Sequence, residues 1–210
     1  MLHPHPFGSD DEFELETFEN HSNPEISLHE KGFYGCTFVN IDWSQGELRR
    51  CTFDGCNFVN CNLTMVKAYD TTFREVTFTR TKLMGFDWTL VRPFTFEVTF
   101  EESVLSYGSF AGARLNNTKF INCVAKETDF SEAKLEKANF RGTTLTGATF
   151  ADTFLAHADL SEAKDYTIDP RNNKLNQTKF SLEAVLHVAA QLGITVPEMT
   201  DAHQDRRDHE

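Results

Sequence analysis

The sequence lacks the motifs that identify most enzymes and the apolar runs that identify membrane proteins. It contains no P-loop, no dinucleotide-binding fingerprint, no Gly-x-Ser-x-Gly elbow and no His-Glu-x-x-His pair. No stretch approaches the roughly 18 apolar residues needed to cross a bilayer. The segment Met1–Asp10 has prolines and histidines where a signal peptide has an apolar core. We therefore expect a cytoplasmic protein that is not an enzyme and does not enter a membrane.

Positive charge is also scarce. The chain has 20 Lys and Arg residues against 32 Asp and Glu, for a formal net charge of −12. A nucleic-acid-binding protein needs a basic stripe to displace counterions from phosphates, so we expect no direct contact with nucleic acid. The charge is uneven along the chain, with a net −8 over residues 1–60, 0 over 61–130 and −4 over 131–210.

The five cysteines form no Cys-x-x-Cys pair, and the eight histidines have no companion at ligand spacing. We therefore expect no metal site and no cofactor. An odd cysteine count is typical of a reducing compartment, where thiols act as small buried apolar groups. A disulfide between Cys36 and Cys56 remains the alternative.

Tyr and Trp are rare, with 4 and 2 residues, whereas Phe occurs 20 times. The phenylalanines recur at steps of five, a period that fits neither an α-helix nor a flat strand. Every fifth position from Phe13 to Trp88 is large and apolar except Asn23 and Ala68, and every fifth position from Phe100 to Leu160 is Phe or Leu except Ala125. The residue two positions earlier is usually small, as at Cys56 and Ala138, and an acid or amide often comes directly before the large residue.

These units resemble the pentapeptide-repeat family, and Ala138-Asn139-Phe140-Arg141-Gly142 and Ala158-Asp159-Leu160-Ser161-Glu162 are the clearest matches. The resemblance covers roughly Phe13 to Leu160. It implies an all-β fold, a right-handed quadrilateral β-helix in which four units form one coil and residue i lies under residue i+20. The same spacing is visible in the sequence, where Phe38, Phe58 and Phe78 would form one column and Phe100, Phe120 and Phe140 another.

The predicted organisation has four parts. Residues 1–10 are a flexible leader, and residues 11–180 form the β-helix. Residues 181–197 form a short α-helix followed by a short strand at Ile194 and Val196, and residues 198–210 are a disordered tail. Ser181 suits a helix N-cap, and Gly193 suits the residue after the helix end.

The two five-residue registers are offset by two residues between Trp88 and Phe100, so an insertion lies near residues 89–99. Pro93 marks the position because proline cannot donate to a sheet ladder. The insertion is either a bend that the solenoid absorbs or a protruding corner that contacts a partner. If it contacts a partner, the candidate contact residues are Arg92, Pro93, Phe94, Glu101 and Glu102.

The C-terminal helix carries more apolar residues than a simple cap needs. It serves either as a cap or as a homodimer contact, and the candidate interface residues are Leu182, Val185, Leu186, Ala189, Leu192, Ile194 and Val196.

Within the family, the chain is similar to the gyrase-protecting branch, which includes the Qnr quinolone-resistance, albicidin-resistance and microcin-immunity proteins. The similarity lies in about eight Phe-rich coils, the central break with its proline, and the ending Gln191–Val196. It implies an acidic homodimer that mimics DNA, binds DNA gyrase or topoisomerase IV, and protects it from an antibiotic such as a quinolone or albicidin. The alternative is a generic pentapeptide-repeat scaffold for some other protein.

Overall fold

The computed structural model describes Phe7, residues 10–93 and residues 96–196. The chain is a parallel β-solenoid of about eight coils with one short C-terminal helix. At the usual sheet spacing of ~4.8 Å, eight coils form a rod of roughly 38 Å. Each coil has four sides, which stack on the same sides of its neighbours to form four walls. The predicted β-helix architecture is therefore confirmed.

Short parallel strands of two to four residues form the ladders. Wall 1 contains β1 (Glu12–Glu14), β4 (Gly32–Tyr34), β7 (Thr52–Asp54) and β10 (Thr72–Arg74). Wall 2 contains β2 (Thr17–Glu19), β5 (Thr37–Val39), β8 (Asn57–Val59), β11 (Val76–Thr79), β12 (Val98–Glu101), β13 (Lys119–Ile121), β14 (Asp159–Leu160) and β15 (Lys179–Phe180). Wall 4 contains β3 (Ser27–His29), β6 (Glu47–Arg49) and β9 (Lys67–Tyr69).

Wall 3, and the later parts of walls 1 and 4, are joined by single bridges instead of strands. Wall 3 runs from the bridge between Ser22 and Asp42 to the bridge between Thr144 and Lys164. Wall 4 continues through Asp87, Ser109, Asp129 and Thr149, and wall 1 continues through Arg114, Lys134, Phe154 and Lys174. Among the described residues, the wall 2 ladder is continuous from β2 to β15, with Asn139 bridging β13 and β14.

The large residues of the repeat fill the inside of the rod. On wall 2, Phe38 stacks on Phe58 with ring centroids 4.6 Å apart, and Phe120 stacks on Phe140 at 4.7 Å. Rings on opposite walls meet edge to face inside the rod, as Phe120 of wall 2 and Phe130 of wall 4 do at 5.8 Å and 86°. Both arrangements are favourable for aromatic pairs. The predicted phenylalanine columns are present, and every ring in them is buried.

The two registers join without loss of the wall 2 column. Ladder partners are 20 residues apart below the break, as in Phe58 with Phe78, and 22 apart across it, as in Phe78 with Phe100. The centroids of Phe78 and Phe100 are 5.4 Å apart. The offset of two residues arises on wall 1, between Arg92 and Glu97. There the N–H of Arg92 donates to the carbonyl of Thr71 at 3.0 Å, and the N–H of Glu97 donates to that of Phe73 at 2.9 Å.

The N-terminal end of the core is covered by Phe7, which is 2% exposed. Its ring lies 5.0 Å from Phe18, 5.2 Å from Phe33 and 5.8 Å from Trp43. The prediction of a flexible leader is therefore wrong for Phe7. The physical reason is that an uncovered first coil would leave these rings in water. Residues 1–6 and 8–9 of that leader lie outside the described residues.

The C-terminal end is covered by Tyr166, Ile168 and helix α1 (Leu182–Gln191). The Tyr166 hydroxyl donates to the carbonyl of Leu160 and accepts from the N–H of Ser181, both at 3.0 Å. The Ser181 side chain caps the helix by accepting from the N–H of Ala184 at 3.3 Å. The predicted helix is therefore present.

The predicted short strand at Ile194 and Val196 is not formed. The N–H of Ile194 donates to the carbonyl of Ala189 at 2.9 Å, and Gly193 has φ +72°. This is the glycine-terminated end of an α-helix, which uses the N–H that a strand would need for a ladder. Residues 194–196 are irregular and exposed. The predicted tail, with Pro197 before it, lies outside the described residues.

Candidate protein-binding surface

The acid or amide that precedes the large residue has a structural role in the turn. The carboxylate of Asp87 accepts from the N–H of Thr89 at 3.0 Å, and that of Asp129 accepts from the N–H of Ser131 at 2.9 Å. This local bond closes an Asx-type turn. One consequence is that these carboxylates are held at fixed positions on the outside of the rod.

The later part of wall 4, from Asp87 to Asp152, carries acids and no base. Its outward residues at 87–90, 109–112, 129–132 and 149–152 include four acids, namely Asp87, Asp129, Glu132 and Asp152. The remaining outward side chains there are neutral, and most are Ser, Thr, Ala or Gly. In the described part of the chain none of the four acids forms an ion pair. We call these four residues the acidic face.

Acids on the first half of wall 4 are neutralised instead. Glu30 pairs with Arg50 at 2.7 Å, and Asp70 pairs with Arg92 through two bonds of 2.7 and 2.9 Å. The bond from Arg92 lowers the pKa of the Asp70 carboxyl below its usual value. Wall 4 therefore has a first part, up to Asp70, in which Glu30 and Asp70 are paired with arginines, and a later part, from Asp87 onward, in which the acids form no ion pair among the described residues.

The neighbouring wall has the opposite sign. Beyond the break, the outward side chains of wall 1 include four bases, Arg114, Lys134, Lys137 and Lys174, and one acid, Glu136. All five are exposed. The acidic face is thus bordered by cations along its corner with wall 1, and by a nearly neutral wall 3 along its other corner.

The predicted partner contacts do not lie together on one surface. Arg92 and Pro93 lie at the start of wall 1, and Arg92 forms an ion pair with Asp70. Glu101 ends β12 on wall 2, Glu102 follows it, and both are exposed. Phe94 lies outside the described residues.

The acidic face was missed by the sequence analysis, although a signal for it exists. Its members lie one residue before or two residues after Trp88, Phe110, Phe130 and Phe150, which form one column. Sorting the outward residues by a step of 20, with 22 across the break, would have placed them on one wall.

A second surface lies at the C-terminal end. Leu182 is 72% exposed, Leu192 53% and Ile194 56%, while Val185 and Val196 are also exposed. Leu186 and Ala189 are half-buried. The predicted interface residues therefore lie close together along the helix and the segment after it, with several large apolar side chains in contact with solvent.

The five cysteines occupy the small inward position and are free and buried. Their sulfur atoms lie near backbone carbonyls, as Cys56 Sγ does at 3.3 Å from the oxygen of Phe33. The Thr81 hydroxyl makes the equivalent contact with Phe58 at 3.2 Å. Burial raises the pKa of the Cys56 and Cys123 thiols to about 12 and of Cys61 to about 11.

We expect the folded protein to resist thiol reagents at pH 8. The thiolate is the reactive form, and a raised pKa together with burial suppresses it. Titration with a chromogenic disulfide should detect none of the five thiols within minutes in buffer, and all five in denaturant. Rapid reaction of even one thiol in the native protein would contradict the buried arrangement.

Within the residues that the structure describes, neither a metal-binding group nor a membrane-spanning helix is found. Across the described ranges, no group of three or more His, Cys, Asp or Glu side chains is placed to hold a metal ion. Among the same residues, no helix is long and apolar enough to cross a bilayer.

The fold defines a repeat protein whose core is filled by its own side chains. Its charged side chains lie on the outside of the rod. The model for the pentapeptide repeat region matches residues 93–169, and the model for pentapeptide repeats in eight copies matches residues 33–67. The chain belongs to the pentapeptide-repeat family. No curated protein sequence matches it significantly.

Solved structures with a similar fold include two of QnrB1, a plasmid-mediated fluoroquinolone resistance protein. One is 17% identical with a TM-score of 0.52, and the match covers 88% of this chain and 97% of that chain. The other is 18% identical with a TM-score of 0.52, covering 88% and 91%. HetL, a pentapeptide repeat protein from the cyanobacterium Nostoc sp. strain PCC 7120 involved in heterocyst differentiation regulation, is 16% identical with a TM-score of 0.46, covering 82% and 87%. At these identities the similarity extends to the fold alone.

Proposed function

We propose that the protein binds a type II topoisomerase, DNA gyrase or topoisomerase IV, through its acidic face and protects it from an antibiotic such as a quinolone or albicidin. It acts in the cytoplasm by binding, without catalysis. The observation that carries this proposal is a wall of a straight rod with four unpaired carboxylates and no base. Such a wall complements the basic groove in which an enzyme holds DNA.

The charge density supports the comparison with DNA. The acidic face extends over three coil steps, so its four carboxylates are spaced at about one per 4–5 Å of rod. Duplex DNA carries one charge per ~1.7 Å when both strands are counted. A groove touches only part of the duplex at once, so the density that it meets is of the same order as on this wall.

We also propose that the protein is a homodimer joined through its C-terminal surface. Leu182, Val185, Leu192, Ile194 and Val196 leave a contiguous apolar area in water, which is the usual mark of a protein contact. A second copy of the chain supplies the same apolar area, as a two-fold symmetric contact requires.

The double variant Val185→Glu/Ile194→Glu should be monomeric. Both side chains are exposed in the single chain, so the change costs little folding stability, whereas an interface would bury two charges per protomer without partners. Light scattering after size-exclusion chromatography measures the mass. Leu15→Glu is the matched control, because Leu15 is 85% exposed at the other end of the rod. A double variant with the mass of the wild type would overturn this interface.

The direct test of the function is a supercoiling assay with purified gyrase. The protein should restore supercoiling in the presence of a fluoroquinolone or albicidin, and immobilised protein should retain gyrase. The same pair of assays with topoisomerase IV identifies which enzyme is bound. Neither retention nor any effect on either enzyme, with or without drug, would remove this proposal.

The alternative is a scaffold for a different protein, and wall 1 is the observation that favours it. The cations Arg114, Lys134, Lys137 and Lys174 do not resemble DNA and would suit an acidic partner. If the supercoiling assays fail, lysate capture by wild type but not by Lys134→Glu/Lys174→Glu would support this second function.

A further inference from the structure

Two of the most exposed apolar side chains on the walls of the rod lie in one column. Met65 is 53% exposed and Tyr107 is 56% exposed. Both have left-handed backbone, with φ 60° and 63°, and both lie at the corner between walls 3 and 4. Gly85 lies between them in the same column. The N–H of Met65 donates to the carbonyl of Met84, next to Gly85, and the N–H of Gly85 donates to the carbonyl of Ser106, next to Tyr107.

Gly85 allows the two side chains to form one apolar strip. The thioether of Met65 lies directly over Gly85, where a Cβ would collide with its sulfur. Gly85 also has φ +64°, a conformation that glycine adopts without strain. Met65 can therefore lie along the corner towards the coil of Tyr107. We call Met65, Gly85 and Tyr107 the corner ridge.

The corner ridge borders the acidic face directly. Asp87 follows Gly85 by two residues, and Asp129 belongs to the coil after that of Tyr107. The opposite edge of the acidic face carries the cations Arg114, Lys134 and Lys174. Glu132 and Asp152 lie beside the cations Lys134 and Lys174, whereas Asp87 and Asp129 lie on the side of the corner ridge, away from those cations. A basic surface approaching the coils from Asp87 onward is therefore attracted more strongly on the side of the corner ridge.

We propose that the partner's footprint is centred on the corner ridge, and that Met65 and Tyr107 are its main apolar contacts. This inference rests on the proposed function and specifies where the topoisomerase binds. The fitting partner surface is basic, with an apolar recess for these side chains and an arginine over the Tyr107 ring. Tyr and Met are enriched at the centres of protein interfaces, where a few buried side chains supply most of the affinity. The acids supply attraction and orientation.

The Tyr107 hydroxyl has no hydrogen-bond partner among the described residues, which leaves it available to the partner. The Tyr107 amide is already used, since its N–H donates to the carbonyl of Lys126 at 2.9 Å. Substitution of this side chain should therefore leave the coil intact and change only what the corner presents to solvent.

The test measures binding of the purified full chain to gyrase subunits by surface plasmon resonance, at low and at physiological salt. Tyr107→Ser and Met65→Ser should each raise Kd by about 10-fold or more, mainly through faster dissociation, because apolar contacts act after encounter. The salt dependence of the association rate should stay as in wild type. Phe154→Ser is the matched control, because Phe154 is a half-exposed aromatic on the opposite corner of wall 4.

The outcomes separate the two proposals. No binding by the wild type to either topoisomerase overturns the proposed function and this footprint with it. Binding by the wild type that Tyr107→Ser and Met65→Ser leave unchanged overturns the footprint alone. An equal loss in Phe154→Ser also overturns it, because the contact would then extend over the cationic corner. Thermal melting should be the same for all variants, which checks that the coils are intact.

Discussion

Phe100→Ala should lower the free energy of unfolding by about 3–5 kcal/mol, the usual cost of emptying a buried phenylalanine site. The ring is 0% exposed and lies in the wall 2 column, which crosses the break. Its centroid is 5.4 Å from Phe78 on one side and 5.3 Å from Phe120 on the other. It also meets Trp88 edge to face at 5.5 Å. The substitution therefore removes one of the two ring stacks that join the halves of the rod, the other being Trp88 with Phe110 at 5.4 Å.

The same variant should also unfold in two steps. Each coil of a solenoid contacts only its neighbours, so cooperativity depends on the weakest interface. Across the break, wall 1 is joined in the described residues by the isolated backbone bonds of Arg92 and Glu97, and wall 2 carries the four-residue ladder between β11 and β12. Walls 3 and 4 add single bridges, between Lys82 and Val104 and between Asp87 and Ser109. Loss of Phe100 therefore weakens the longest ladder that couples the two halves.

Phe140→Ala is the control for this effect. Phe140 is equally buried in the same column but lies in an uninterrupted register, 4.7 Å from Phe120. It should lose a similar amount of stability and still unfold in a single transition. Urea denaturation followed by circular dichroism and tryptophan fluorescence measures both the free energy of unfolding and the number of transitions. A single transition for Phe100→Ala, with a loss below about 1 kcal/mol, would show that the halves are not coupled through this ring.

The period of five was sufficient to predict the interior of the rod. When four units close a coil, a large side chain such as Phe58 or Phe130 is buried only if it points into the coil. Large residues 20 positions apart must then stack in one column. The two-residue offset between Trp88 and Phe100 also predicted the position of the break. The structure adds that Phe78 and Phe100 keep stacking across it, because the offset is taken up on wall 1.

The conformation of the corners was not predictable from the period alone. The residue two after the large one has positive φ at nearly every coil, including Asn60, Glu127 and Lys137. None of the non-glycine residues at these positions is Val, Ile or Thr, for which this conformation is strained. This pattern is visible in the sequence only after the inward positions are known.

The end caps and the charged surfaces depended on contacts outside the repeat. Phe7 is not in the five-residue phase, so only the presence of open rings at the first coil explains its burial. Ile194 has an apolar, strand-like sequence context, but its N–H donates to the carbonyl of Ala189 in the last turn of the helix. The acids Asp87 and Asp152 are 65 residues apart in sequence and lie on one wall only because of the 20-residue coil.

The acidic face makes the second large prediction. Replacing its four acids by amides (Asp87→Asn, Asp129→Asn, Glu132→Gln and Asp152→Asn) should lower the association rate constant for the topoisomerase by about 10-fold or more at low salt, because steering by complementary charge accounts for factors of about 10–10³. The difference from wild type should shrink as salt rises and screens the charges. Stability should change little, since an asparagine at 87 or 129 still accepts the bond from the N–H of Thr89 or Ser131.

The matched control removes the same amount of charge from another place. Glu12→Gln, Glu14→Gln, Glu19→Gln and Glu25→Gln also remove four negative charges from the formal net charge of −12, all at exposed positions of the first coil. If local complementarity on wall 4 drives encounter, this variant should keep most of the wild-type rate. Equal losses in both variants would instead mean that net charge alone attracts the partner, since charges farther from the contact than the ~8 Å Debye length at physiological salt are largely screened there. Stopped-flow association measured from low to physiological salt distinguishes the two cases, because only a local contact leaves a difference between the variants when long-range attraction has been screened.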